Sequence, residues 1–243
     1  MEYLFRTLKE DEIDCRISQI DKTWCTLLLF KDARADMNIL DETVGSMNWQ
    51  RHHNRDNANC VVSIWDEDKK QWVEKEDTGT ESFTEKEKGL ASDSFKRACF
   101  NWGIGRELYT APSIFIFPRK DMGGITKPGE DSKEFCQKPD GKYTTKTRFY
   151  VDYIDYDNNR NIQNLIIRDH KGNSRFEQLT DEMQELINKQ FIKLKQLIEA
   201  NEDKDDNFDR AEFYKYFKVD SDNKLSIKQR EIAIKLLEKR LKK

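Results

Sequence analysis

Three strand-like segments followed directly by one amphipathic helix constrain the fold of this chain more than any other feature. The segments cover 47–53, 60–65 and 71–78, and the polar turn 66–70 predicts that the last two pair as an antiparallel hairpin. Over 82–109, apolar residues recur at helical spacing before a pair of glycines. This order predicts a β-β-β-α unit whose last two strands form a hairpin.

The predicted helix has one apolar face and one charged face. The apolar stripe consists of Ala91, Phe95, Ala98 and Trp102. The charged face carries Lys86, Asp93 and Arg97, with Lys96 beside them and Arg106 just beyond the helix. Basic side chains on a rigid helix can neutralise successive phosphates of a nucleic acid. They could instead form weak surface ion pairs with Asp93, Glu85 and Glu87, and the pattern alone leaves both interpretations open.

The rest of the chain extends this unit in both directions. Upstream, we predict a short acidic helix ending near Arg16, a strand over 23–30, and a helix from Asp32 to a stop at Gly45. Downstream, a long loop over 118–143 precedes a hairpin of strands 148–155 and 162–168. Only helices are predicted after residue 178. The pattern therefore predicts an α+β fold with one domain over 1–178 and a small all-helical C-terminal domain over 179–243.

No constellation of catalytic residues emerges from the sequence. Its three histidines lack metal-ligand spacing, and it has no glycine-rich phosphate-binding loop. A possible calcium loop starting at Asp220 has Leu225 where the turn needs glycine. Glu74 and Glu76 share one face of a predicted strand and Asp77 could join them through a turn, so a two-metal nuclease site stays open beside a solvated strand edge. We predict no enzymatic activity, no catalytic residue, no metal and no cofactor.

The charge balance limits how nucleic acid could be bound. The formal net charge is −3 and the pI is about 5.8, so a DNA site would have to be a local basic patch on an acidic protein. No apolar run approaches the roughly 20 residues that cross a bilayer, and the N-terminus lacks a secretory pattern. Five scattered cysteines favour reduced thiols. We therefore expect a cytoplasmic protein without membrane contact.

One long motif resembles a known family. Glu-Asp-Thr-Gly at 76–79, Ala-Ser-Asp-Ser-Phe-Lys-Arg-Ala at 91–98 and Trp-Gly-Ile-Gly-Arg-Glu-Leu-Tyr at 102–109 are similar to the central motif of the Rad fifty-two/Rad twenty-two family. These are single-strand annealing proteins of eukaryotes and phages. The similarity extends over about residues 10–110 and is greatest to the phage branch, which would place the chain in the cytoplasm of a bacterial host.

The resemblance implies a function in DNA recombination and repair. Family members anneal single-stranded DNA without ATP, as homo-oligomeric rings or arcs that hold the DNA backbone in a basic groove. On this basis the β-β-β-α unit is an annealing core with an added β-hairpin, and its groove phosphates are contacted by Lys96, Arg97, Arg16 and Lys88. Lys86 and Arg106 complete the predicted DNA-binding set. Phe100 departs from the family, where eukaryotic members place another arginine. The alternatives are a metal-dependent DNA nuclease and a passive single-strand coating protein.

The C-terminal segment lies outside this motif. Residues 224–243 contain eight basic and two acidic residues, and apolar residues recur along them at helical spacing. The segment could dock the acidic tail of a host single-strand binding protein, add a second DNA contact, or be a packed helix with a solvated basic face.

Overall fold

The computed structural model describes residues 4–80, 86–119 and 134–242. They form an α+β fold of antiparallel sheets and helices, which confirms the predicted fold class. The strands are β1 (Ile13–Ile20), β2 (Cys25–Lys31), β3 (Trp49–Asn54), β4 (Asn59–Asp66), β5 (Gln71–Thr78), β6 (Ile114–Ile116), β7 (Cys136–Gln137), β8 (Tyr143–Thr144), β9 (Phe149–Tyr156), β10 (Ile162–Asp169) and β11 (Ser174–Gln178). The helices are α1 (Ala33–Val44), α2 (Lys86–Trp102), α3 (Asp181–Lys204), α4 (Arg210–Tyr216) and α5 (Ile227–Leu241).

The chain divides into two compact units. The first comprises Met1–Asp14, Leu29–Pro112 and Asn158–Asn161, and the second comprises Cys15–Leu28, Ser113–Asp157 and Ile162–Lys243. None of the described helices is both long enough and apolar enough to cross a bilayer.

The first unit contains the predicted β-β-β-α arrangement. Strands β3, β4 and β5 pair in that order as an antiparallel sheet, and α2 packs against β4 and β5. The central strand supplies Cys60, Val62 and Ile64 to the core, where Phe95 of α2 is fully buried. The Phe95 ring stacks on Trp49 of β3, with ring centroids 6.2 Å apart. The hydrophobic stripe of α2 thus covers one face of the sheet, as its spacing predicts.

Helix α1 also agrees with its sequence signals. The Asp32 side chain caps its first turn by accepting a hydrogen bond from the N–H of Arg34 at 2.7 Å, and Gly45 ends it with a φ of +84°.

The prediction of an N-terminal acidic helix is wrong. Among residues 4–16, only the single turn Glu10–Glu12 is helical, and Arg16 lies in strand β1. The acidic run favours a helix start, but the alternating apolar residues that follow favour a strand.

The second unit holds most of a six-stranded sheet in the order β11-β10-β9-β1-β2-β6. The predicted hairpin is confirmed as the antiparallel pair β9–β10. Within the predicted loop 118–143, β7 and β8 form a small two-stranded sheet, and residues 120–133 lie outside the described part of the chain.

The C-terminal helices belong to the same unit. Helix α3 begins at Asp181 after the cap Thr180, and α3, α4 and α5 share a core that includes Leu194, Tyr214 and Leu237. The change from sheet to helix falls where the sequence predicts it, although independent folding of 179–243 stays a prediction. Arg230, counted among the basic residues of the last helix, is only 5% exposed and donates to the Leu225 carbonyl at 3.2 Å.

Candidate nucleic-acid interface

Two cations flank helix α2 on the sheet of the first unit. Arg51 of β3 and Lys75 of β5 both lie opposite Val62 of the central strand, so the three residues form one row on the face that α2 covers. The Arg51 guanidinium lies 4.8 Å from the centre of the Phe95 ring, and the Lys75 ammonium lies 4.5 Å from that of Trp102. Both cations are therefore held at the sides of the helix by aromatic faces.

Arg97 faces β5. Its Nε lies 3.3 Å from Oδ1 of Asp77, and 42% of its side chain is exposed. Asp93, a predicted partner, is engaged elsewhere, since it accepts hydrogen bonds from the N–H and hydroxyl of Thr80 at 2.9 and 3.1 Å. A single long ion pair leaves most of the guanidinium's five donors available to a ligand.

Lys96 faces different surroundings although it neighbours Arg97 in sequence. The pKa of Asp32 at the start of α1 lies below its ordinary value, first because the Arg34 side chain donates to it and in smaller part because of the Lys96 charge. The Lys96 charge also tends to lower the pKa of Asp36 of α1, against the larger effect of burial. It makes no hydrogen bond to any residue that the structure describes. The two neighbours therefore lie beside different elements, Lys96 near α1 and Arg97 near β5.

Two cations converge on the C-terminal end of α2. The Lys75 ammonium and Nη2 of Arg106 both donate to the Asn101 carbonyl at 2.9 Å, and Nε of Arg106 donates to the Phe100 carbonyl at 2.5 Å. Positive charge is favourable there because the last carbonyls of a helix carry partial negative charge. Burial and the nearby Arg106 together lower the pKa of Lys75. We call Arg97, Lys75 and Arg106 the seam cations, because they follow the seam between β5 and α2.

The aromatic residues around α2 are packed. The Phe100 ring receives the Lys31 ammonium at 4.1 Å and meets the Tyr109 ring edge-on at 5.1 Å. The indole of Trp102 donates to the Val62 carbonyl at 3.0 Å, and that of Trp49 donates to Asp41 at 2.6 Å. These rings thus stabilise the packing of α2.

The other predicted residues are placed less fully. Lys86 and Lys88 lie in the first turn of α2, but their side chains are outside the described part of the chain, as are the predicted capping residues 82–85. Arg16 is exposed on β1 in the second compact unit. Of the predicted set, the structure brings Arg97 and Arg106 to the same seam.

Sequence reasoning missed Lys75. The alternation along β5 carried the signal, because Val73, Lys75 and Asp77 share the side that faces α2. The same alternation corrects the carboxylate cluster. Glu74 and Glu76 lie on the opposite face, where they accept from Ser63 and Asn59, so Asp77 does not join them.

Over residues 4–80, 86–119 and 134–242, no three His, Cys, Asp or Glu side chains converge closely enough to hold a metal ion. No family model matches the chain, and no curated protein or solved structure is similar enough to it to indicate a relationship. The resemblance to the Rad fifty-two/Rad twenty-two family stays a prediction that rests on the motif.

Proposed function

We propose that this chain binds single-stranded DNA by its phosphate backbone and anneals complementary strands as a homo-oligomeric ring or arc, in recombination or repair. The seam cations carry the proposal. They are fixed on a rigid β-β-β-α unit in which Arg97 keeps unused donors, and a row of cations on a rigid element suits the regular charge of a DNA strand.

Annealing requires no covalent chemistry from the protein. Cations along the seam lower the repulsion between phosphates and hold one strand extended, while the bases stay free to pair with a second strand. Base pairing then supplies the specificity, so neither a nucleotide nor a metal has a step in this mechanism. The expected binding is weakened by salt, because each phosphate that the protein neutralises releases counterions.

Separate substitutions of the two neighbouring basic residues test the proposal. Arg97→Ala should weaken binding of an oligothymidylate about tenfold, the effect of removing about 1.4 kcal/mol of charge-assisted hydrogen bonding. Lys96→Ala should weaken it less, since Lys96 faces Asp32 and Asp36. Fluorescence anisotropy measures binding, and sedimentation shows whether assembly survives.

Arg210→Ala is the matched control, because Arg210 lies on α4 and pairs with Glu202 at 2.8 Å. Unchanged binding by Arg97→Ala, in a protein whose wild type binds DNA, would contradict the assignment of the seam. Incubation of labelled DNA strands with Mg²⁺ distinguishes annealing from the two alternatives, a nuclease and a passive coating protein. A nuclease shortens the strands, a coating protein slows their pairing, and an annealer speeds pairing at full length.

A cavity among the C-terminal helices supports a second role. It has a volume of about 810 Å³. Its lining includes the apolar side chains of Phe208, Phe213, Leu236 and Leu237, and three cations, Lys204, Lys239 and Arg240, which outnumber the one carboxylate, Asp205. We propose that it docks an acidic protein segment with apolar side chains, such as the tail of a host single-strand binding protein, since apolar side chains beside an excess of positive charge complement such a segment.

Charge reversal in the cavity lining tests this role. Lys239→Glu should slow annealing of strands coated with the host single-strand binding protein severalfold, and leave annealing of naked strands unchanged. Glu231→Lys, on the same helix but outside the cavity lining, is the control. Equal impairment on coated and naked strands would instead indicate a DNA-binding surface, and no impairment on either would leave a solvated basic face.

A further inference from the structure

A small cavity beyond the end of α2 brings together two arginines that are 54 positions apart in sequence. Its volume is about 280 Å³. Its lining includes Gly103, Arg106, Glu107, Thr110 and Arg160, all of them within the first compact unit. We propose that this cavity binds one phosphate group of the DNA strand between Arg106 and Arg160. The proposal rests on the proposed function and adds Arg160, which no sequence pattern indicated.

Arg160 is held in place by one side of its guanidinium. Its Nη2 lies 3.3 Å from Oε2 of Glu107, 3.4 Å from the Gly103 carbonyl and 3.5 Å from the Arg6 carbonyl. Its Nε and Nη1 make no hydrogen bond with any described residue. Its backbone adopts a left-handed φ of +66°, which is unfavourable for a residue with a side chain. The turn tolerates this conformation while the guanidinium stays fixed, with the three N–H donors of Nε and Nη1 unused.

Arg106, which follows the last residue of α2, is held in the same way on the other side of the cavity. Its Nε and Nη2 donate to the last turn of α2, and its Nη1 makes no hydrogen bond within the described part of the chain. Both guanidinium groups are thus oriented before a ligand arrives, so little side-chain entropy is lost on binding. Guanidinium groups with open donors match the oxygens of a phosphate better than those of an uncharged group.

The local charge favours an anion. Three cations, Lys75, Arg106 and Arg160, lie at or near the cavity. The Glu107 carboxylate and the negative end of the α2 dipole offset part of their charge, which leaves a net charge of roughly +1.5. The Glu107 side chain is fully buried, and it accepts from the N–H of Leu8 at 2.7 Å as well as from Arg160. This carboxylate therefore orients Arg160 while its own side chain stays buried.

The position of the cavity selects a phosphate of DNA over a free anion. Arg106 lines the cavity and is also one of the seam cations, sharing the Asn101 carbonyl with Lys75. A strand that contacts Arg106 along the seam would therefore also lie at the cavity. Inorganic phosphate has the same chemistry, so the experiment must distinguish the two sources.

The test compares Arg160→Gln with the control Arg210→Gln in the full chain. We expect Arg160→Gln to weaken oligothymidylate binding about tenfold and to lower the slope of log K against log salt by about 0.7 for each phosphate that a bound subunit no longer neutralises. Arg160→Lys should restore the slope and part of the affinity. Circular dichroism and sedimentation confirm that each variant folds and assembles.

The outcomes separate this inference from the proposed function. If the wild type binds DNA and Arg160→Gln keeps both its affinity and its salt slope, the cavity proposal is wrong and the seam stands. If the wild type binds no DNA, the proposed function fails, and pyrophosphate titrated into wild type and Arg160→Gln then decides the cavity. Pyrophosphate binding by the wild type alone supports an oxyanion site without DNA, and no binding to either protein overturns it.

Discussion

Lys31 and Asp36 form an ion pair almost without access to solvent. The side chains are 1% and 0% exposed, and the Lys31 ammonium donates to Asp36 and to the Ile104 carbonyl at 2.8 Å. Burial raises the pKa of Asp36 to about 6, against the opposing effect of the Lys31 charge. Removing one partner of such a pair leaves the other charge buried without compensation.

We expect Asp36→Leu to lower the free energy of unfolding by about 3–5 kcal/mol at pH 7, because the buried Lys31 ammonium then loses its side-chain acceptor. The double variant Lys31→Met, Asp36→Leu should recover most of this stability, because no charge then stays buried. Urea denaturation measures both. If Asp36→Leu were as stable as the wild type, the pair would have no role in stability.

The raised pKa of Asp36 also determines the direction in which stability changes with pH. The folded protein binds the Asp36 proton more tightly than the unfolded chain, so this group's contribution to stability is greatest below pH 3.8 and is lost as the pH rises through about 6. The slope of unfolding free energy over this window should be less negative in Asp36→Asn.

At the scale of elements, the packing of α2 on the sheet depends on one glycine. A side chain at Gly79 would place its Cβ 2.5 Å from the Ser94 nitrogen and 2.8 Å from the Leu90 carbonyl oxygen, both backbone atoms of α2. The chain leaving β5 therefore passes directly against the helix. This close approach sets the distance between α2 and the sheet, and with it the position of Arg97 beside Asp77.

We predict that Gly79→Ala destabilises the fold by about 1–3 kcal/mol, because the helix must move away from the added methyl group. It should also weaken DNA binding, because Arg97 moves with the helix. Gly141→Ala is a useful comparison. No atom lies within 4 Å of its Cβ, so its cost comes only from a φ of +82° and DNA binding should not change. Equal DNA binding by both variants would contradict the role of Gly79.

At the scale of the whole molecule, an acidic protein with a small basic seam is consistent with function in an assembly. A monomer with net charge −3 has weak overall attraction for DNA. Repetition of the seam cations around a ring or arc would produce a continuous positive path without changing the charge of each subunit's remaining surface. The proposed affinity is therefore a property of the assembly.

The C-terminal helices matter at the same scale because they cover part of the sheet in the second unit. Ile166 of β10 packs with Met183 and Ile227, and Arg168 donates to the carbonyls of Asn223 and Leu225. Deleting 179–243 would expose these groups. Point substitutions in the lining of the cavity among these helices therefore test partner docking more directly than a truncation does.

The sequence by itself determined the elements whose signals are local. Periodicity and turn residues predicted β3, β4, β5 and α2. Helical spacing and the Gly45 stop predicted α1, and apolar stripes predicted α3 and α5, because these signals act between residues a few positions apart. Tertiary structure decided which charges meet. It turned Lys96 and Arg97 toward different elements and placed Lys75 beside Arg106. It also brought Arg160 to the cavity that Arg106 lines. Such meetings depend on how strands and helices pack over long separations in sequence, which no local pattern encodes.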